Sequence, residues 1–169
     1  VREVTETFNV FTYSSAPEEI KKKIIESFDD GELYDHLMPE RIESLTLFAK
    51  EIGCRVDWSL SVVPDRGEYI RFTYENDEDV IHQLSKIDTS GECPFTGVCY
   101  DEDIIDSFRD IKVKTESDLL QVFSIIQENY IRSIHDEYES MISHSYISDH
   151  CEANEYEFTK DGILYSDHN

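Results

Sequence analysis

The chain has 169 residues, with 38 Asp plus Glu against 15 Lys plus Arg and a formal net charge of −23. That balance excludes direct nucleic-acid binding, which needs a basic face for the phosphates, and adhesion to an anionic membrane leaflet. With 39% hydrophobic and 12% aromatic residues a core is available despite the charge, and the length fits one domain over 1–169.

In chain order, Val4 to Tyr13 alternates and reads as a strand. Ser15-Ala-Pro-Glu18 has the form of a capping box with Pro17 in the first turn. Ile20, Ile24 and Phe28 follow at helical spacing, and Gly31 is placed to end that helix. A second helix is predicted from near Pro39, with Ile42, Leu45, Phe48, Ala49 and Ile52 on one face and Gly53 as C-cap. Val56, Trp58, Leu60 and Val62 then alternate with polar residues. Across a Pro64–Gly67 turn, Ile70, Phe72 and Tyr74 face them as a hairpin.

Asp77 is the expected cap of a short helix that turns Val80, Ile81, Leu84 and Ile87 inward. A loop with Gly91, Pro94 and Gly97 leads to another short helix carrying Ile104, Ile105, Phe108 and Ile111. Thr115 caps the longest helix, whose stripe is Leu119, Phe123, Ile126, Tyr130, Ile134, Tyr138 and Met141. Its pattern can run to about His150, with Ser143 to Ser148 as the place for a break. A short hairpin over Tyr156 to Tyr165, turning at Lys160-Asp-Gly162, closes the chain. The expected class is α+β: a small antiparallel sheet packed against several helices, one of them long and C-terminal.

No run of 18 apolar residues offers a transmembrane helix. Val1 to Val10 lacks the basic and apolar regions of a secretion signal. The four cysteines are too few for a disulfide scaffold, and no N-x-[ST] acceptor occurs, so a cytoplasmic location is expected. Eighteen Ile and eight Lys argue against salt adaptation as the origin of the charge.

The acids are unevenly placed. Residues 75–110 hold eleven acids and two bases, and residues 116–157 hold ten acids and one base, Arg132. The expectation is a C-terminal half nearly free of internal ion-pair partners. Its acidic surface comprises Glu75, Asp77, Glu78, Asp79, Asp101, Glu102, Asp103, Asp106, Glu128, Asp136, Glu137 and Glu139. Such a surface repels itself unless it is solvated or faces a basic partner. Duplex DNA carries one charge per roughly 1.7 Å of axis, and carboxylates along a helix imitate part of that line.

Other chemistry is weakly signalled. Cys93 and Cys99 are five residues apart internally, outside the usual zinc spacing, and His150-Cys151 offers two further ligands for a conceivable site. His135 and His144 lie nine apart, not the four of a helical metal pair. Asp101-Glu-Asp103 lacks the EF-hand pattern, and no nucleophile-elbow, Walker or dinucleotide fingerprint occurs. No catalytic residue, metal or cofactor is expected.

The run Ala153-Asn-Glu-Tyr-Glu-Phe-Thr-Lys-Asp-Gly162 resembles a family of small acidic proteins encoded by bacteriophages, prophages and plasmids. Phe11 to Lys23, a strand ending Phe-x-Tyr before a Lys-rich helix opening on Pro-Glu-Glu, is similar to that group, as is the Trp58 to Gly67 strand and turn. The family's turn is richer in Gly and Ser; this chain has Pro64, Asp65 and Arg66. By type and charge, such proteins are similar to phage anti-defence proteins, the anti-CRISPR and antirestriction inhibitors. The acidic surface, together with that likeness of type, leads to the expectation of a non-enzymatic inhibitor in the bacterial host cytoplasm, mimicking nucleic acid in the basic channel of a nuclease or CRISPR effector. The alternative is a regulatory or assembly protein that binds a host or phage protein through the apolar face of the long helix, with a homodimer as one form.

Overall fold

A computed structural model describes residues 9–27, 30–91, 93–97 and 100–165. The chain divides into two compact units: residues 33–137, and residues 1–32 together with 138–169.

The larger unit holds most of α2 (Asp30–Glu51), the strands β2 (Arg55–Ser59) and β3 (Tyr69–Thr73), and the helices α3 (Asp77–Leu84) and α4 (Tyr100–Asp106). It also holds most of α5 (Glu116–Met141), the long helix expected near the C-terminus. The alternation in the sequence sets the hairpin register, with Val56 opposite Phe72 and Trp58 opposite Ile70. Ile70 and Phe72 are buried, and so are Leu119, Val122, Phe123, Ile126, Tyr130 and Ile134 of α5. Phe72 stacks on Phe123 at 4.4 Å between centroids, and Phe48 of α2 meets Phe72 edge-on at 5.8 Å. These aromatic contacts concentrate the apolar area removed from water, the main stabilising term.

The ends of these helices follow their capping chemistry. Thr115 and Asp118 bond each other's backbone N–H, a capping box opening α5. Gly53 takes φ +75°, and the N–H groups of Cys54 and Gly53 bond the carbonyls of Ala49 and Lys50, the two bonds of a Schellman closure of α2. Asn76, not Asp77, caps α3, because its Oδ1 accepts from the Glu78 amide.

α2 begins well before Pro39, and Gly31 lies inside it rather than ending the first helix. A helix-interior proline forfeits one ladder bond, but Leu37, Met38, Arg41 and Leu45 are all buried around it, and packing overrides the local preference.

The other unit contains β1 (Val10–Thr12), α1 (Glu18–Glu26), α6 (His144–Ala153) and β4 (Glu157–Thr159). Its core is Tyr13, Ala16, Ile20, Ile24, Ile147, Cys151 and Phe158. β1 pairs antiparallel with β4, Phe11 opposite Phe158, so the described strand residues form two separate two-stranded sheets instead of one small sheet. Of the expected strand Val4 to Tyr13, residues 4–8 lie outside the described ones. No capping box opens α1: Pro17 is its N-cap without a side-chain bond, and the Ser15 hydroxyl donates to the Thr12 carbonyl. The helical pattern after Met141 restarts as α6 because the Ser143 hydroxyl accepts from the Tyr146 amide. The closing turn forms as expected, with Gly162 at φ +78° and Phe158 bridged to Leu164.

Candidate acidic binding surface

The twelve carboxylates proposed from sequence separate into two groups. Three belong to the architecture of the 33–137 unit. Asp101 is wholly buried, so it contributes nothing to a surface. Its Oδ2 accepts from the amides of Phe95 and Thr96 at 2.8 and 2.7 Å, and its Oδ1 accepts from the Thr96 hydroxyl at 2.9 Å. Burial pushes its pKa up, but bonds from the Ser44 hydroxyl and from Thr96 and Phe95 outweigh it and hold the carboxyl below its ordinary range. Asp101 therefore knots the 93–97 loop to the start of α4.

Asp103 and Glu137 meet Arg41, a fully buried arginine that the sequence reading left out of every site. Arg41 Nη1 donates to Asp103 Oδ2 at 3.1 Å and Nη2 to Glu137 Oε2 at 2.6 Å. Ser133 Oγ accepts from Arg41 and donates to Asp103, and Tyr100 donates to Glu137. The guanidinium lies 4.2 Å from the Tyr100 ring centroid, and the Tyr130 hydroxyl donates to the Arg41 carbonyl. The expectation of a half without internal ion-pair partners is corrected here. One base from α2 serves two acids, because an arginine fork takes two carboxylates at once.

Asp106 is exposed and paired with Arg109 at 2.9 Å. Glu102 is half-buried on α4. On α5, Glu128 and Asp136 are exposed, but Arg132 lies midway between them at helical spacing and bonds Asn129. That cation breaks the expected line of charge along the helix. Glu139 lies on the last turn of α5, among the residues that group with the other unit.

The remaining cluster is the densest. Glu75, Glu78 and Asp79 are exposed and Asp77 is half-buried, four carboxylates in five residues at the start of α3. Three of them occupy its first turn, where the helix dipole favours negative charge. Burial raises the Tyr74 hydroxyl pKa first, and the negative charges of Glu116 and Asp77 raise it further. Glu116, at the start of α5, therefore joins this patch; only the tertiary fold brings it there. Beside the patch runs an open groove of about 970 Å³ lined by Tyr74, Glu75, Asn76 and Asp79, with Arg55 on it. Among the described residues no ion pair engages Glu75, Asp77, Glu78, Asp79 or Glu116.

The other candidate groups are tied to structure. His135 meets Glu68 at 3.1 Å, and the same carboxylate accepts from the amides of Ser61 and Asp65, holding the loop between the hairpin strands. His144 Nδ1 is 2.8 Å from the Tyr13 hydroxyl. Burial raises the Cys54 thiol to about 11 and the Cys151 thiol above its ordinary value, so neither is a ready thiolate. Cys99 is outside the described residues, Cys93 belongs to the 33–137 unit, and His150 and Cys151 belong to the other. Among the described residues no group of three or more metal-ligating side chains occurs. No helix there is long and apolar enough to cross a membrane.

No protein-family model, curated protein or solved structure matches the chain.

Proposed function

We propose that the chain is a non-enzymatic inhibitor whose acidic patch at the start of α3 occupies the basic nucleic-acid channel of a nuclease. The observation that carries this reading is that Asp77 and Glu116 meet at Tyr74 beside Glu75, Glu78 and Asp79, with no cation paired to any of the five among the described residues. Unpaired carboxylates held on a rigid unit repel one another, and a basic partner relieves that repulsion while steering the encounter. A channel built for phosphates supplies the complementary field. The likeness to phage, prophage and plasmid proteins favours a CRISPR effector or restriction enzyme as the target, met in the cytoplasm of a bacterial host.

The competing reading is docking through the apolar stripe of α5, and burial of most of that stripe favours the acidic patch over it. Leu119 through Ile134 on that stripe are buried within the chain, which leaves half-buried Tyr138 and Met141 as its partly open end. The two readings separate in one binding experiment with a panel of CRISPR effectors and restriction enzymes. Glu75→Gln/Glu78→Gln/Asp79→Asn/Glu116→Gln is expected to weaken capture at least tenfold with the fold intact by circular dichroism, about 1.4 kcal/mol. Undiminished capture by that variant overturns the mimicry reading.

A further inference from the structure

The 33–137 unit contains a second cleft of about 370 Å³, and its chemistry is opposite to that of the acidic patch. Ile81 and Leu84 of α3, Ile87 just after it, and Phe108 and Ile111 after α4 supply its apolar wall. Arg109, Lys112 and Lys114 also line it, and all three are exposed. From 109 to 114 three bases stand against one acid, Asp110, in a chain of net charge −23.

One of these cations is paired with a neighbouring acid and two are not. Arg109 shares an exposed contact with Asp106. Among the described residues Lys112 and Lys114 form no ion pair. The nearby Asp118 carboxylate accepts from the backbone amides of Lys114 and Thr115, and the Lys114 charge acts on it more weakly than those bonds do. An apolar wall beside exposed lysines complements a ligand that is apolar along its length and anionic at one end. The cleft volume falls at the lower end of the range for small-molecule sites, roughly 300–1,000 Å³. Lysine ammonium groups act as compact point charges and need no bidentate geometry from the anion.

We propose that this cleft binds a small amphipathic carboxylate of the medium-chain alkyl type, its chain on the Ile81–Phe108 wall and its carboxylate between Lys112 and Lys114. The overall field of the chain repels anions, so any such binding is local to these residues.

The test is a titration of the full chain with sodium decanoate below its micellar concentration, followed through the methyl NMR signals of Ile81, Ile87 and Ile111. Inorganic phosphate supplies the charge without the tail, and decyltrimethylammonium the tail without the anion. The expected result is a saturable shift of these methyls with decanoate alone. A Lys112→Gln/Lys114→Gln variant, with an unchanged unfolding midpoint because both lysines are exposed, is expected to bind decanoate at least about fivefold more weakly. A shift that does not saturate, a matching response to phosphate or to decyltrimethylammonium, or full affinity in the double variant overturns the proposal.

Discussion

Arg41 Nη2 donates to Glu137 Oε2 at 2.6 Å, linking residues 96 positions apart in the chain. Arg41 also binds Asp103 and packs on Tyr100, so one guanidinium ties α2, α4 and α5 together. Its two carboxylates are each about one-third exposed, at 32% and 33%, which softens their desolvation.

Replacing Arg41 leaves two acids facing each other without a cation. Arg41→Met is expected to lower unfolding stability by about 2–3 kcal/mol, less than for a fully buried pair. Arg41→Lys is expected to recover less than half of that, because one ammonium cannot reproduce the two-armed geometry. Urea midpoints of the three proteins check both; full rescue by lysine would mean that charge alone matters at this position.

Asp101 makes a pH-dependent contribution with a definite sign. Its folded pKa lies below the ordinary value, about 3.9 in an unfolded chain. The stability it supplies is complete above that value and is lost as pH falls through the lower folded one. Asp101→Asn is expected to be destabilised by about 1–3 kcal/mol at neutral pH, with the gap to wild type narrowing below about pH 4. Urea unfolding across a pH series reads this directly, and a gap of constant size down to acid pH would count against the buried carboxylate.

Two left-handed positions in the smaller unit respond oppositely. A Cβ on Gly162, at φ +78°, would stand 2.8 Å from Lys23 Cβ and 3.0 Å from its carbonyl carbon. Gly162→Ala is expected to cost about 2–4 kcal/mol from backbone strain and overlap with α1. Glu155 holds φ 54° just after α6, where the Tyr156 and Glu155 amides bond the carbonyls of Cys151 and Glu152. Glu155→Gly is expected to stabilise by about 0.5–1 kcal/mol. Thermal unfolding of the two variants tests the pair; a neutral Gly162→Ala would remove the close approach to α1.

The local parts of this fold are legible in the residues. Alternation around Trp58 set the hairpin register, Gly53 marked the end of α2, and Thr115 marked the start of α5. What escaped local reading depends on distant partners. Gly31 and Pro39 look like helix boundaries, but packing carries α2 through both. Counting acids joins all twelve carboxylates into one acidic surface because it ignores which are bonded inside. Asp101 is satisfied by the loop before it, Asp103 and Glu137 by Arg41. The local signal for the cluster is Arg41 itself, a cation at helical spacing on the same buried face of α2 as Leu45 and Phe48. Glu116 had no local signal, since its place beside Tyr74 comes from the tertiary fold.

In the proposed function, the patch at Glu75, Asp77, Glu78, Asp79 and Glu116 competes with nucleic acid for a basic channel. Its most direct test is displacement of labelled duplex DNA from a CRISPR effector or restriction nuclease by the chain. Displacement is measured at about 50 and about 200 mM salt, a range over which phosphate-type contacts weaken steeply. The expected result is displacement by the wild type that weakens at least tenfold at the higher salt and is lost in the four-site neutralised variant. Displacement that is independent of salt and retained by that variant would rule out nucleic-acid mimicry by this patch.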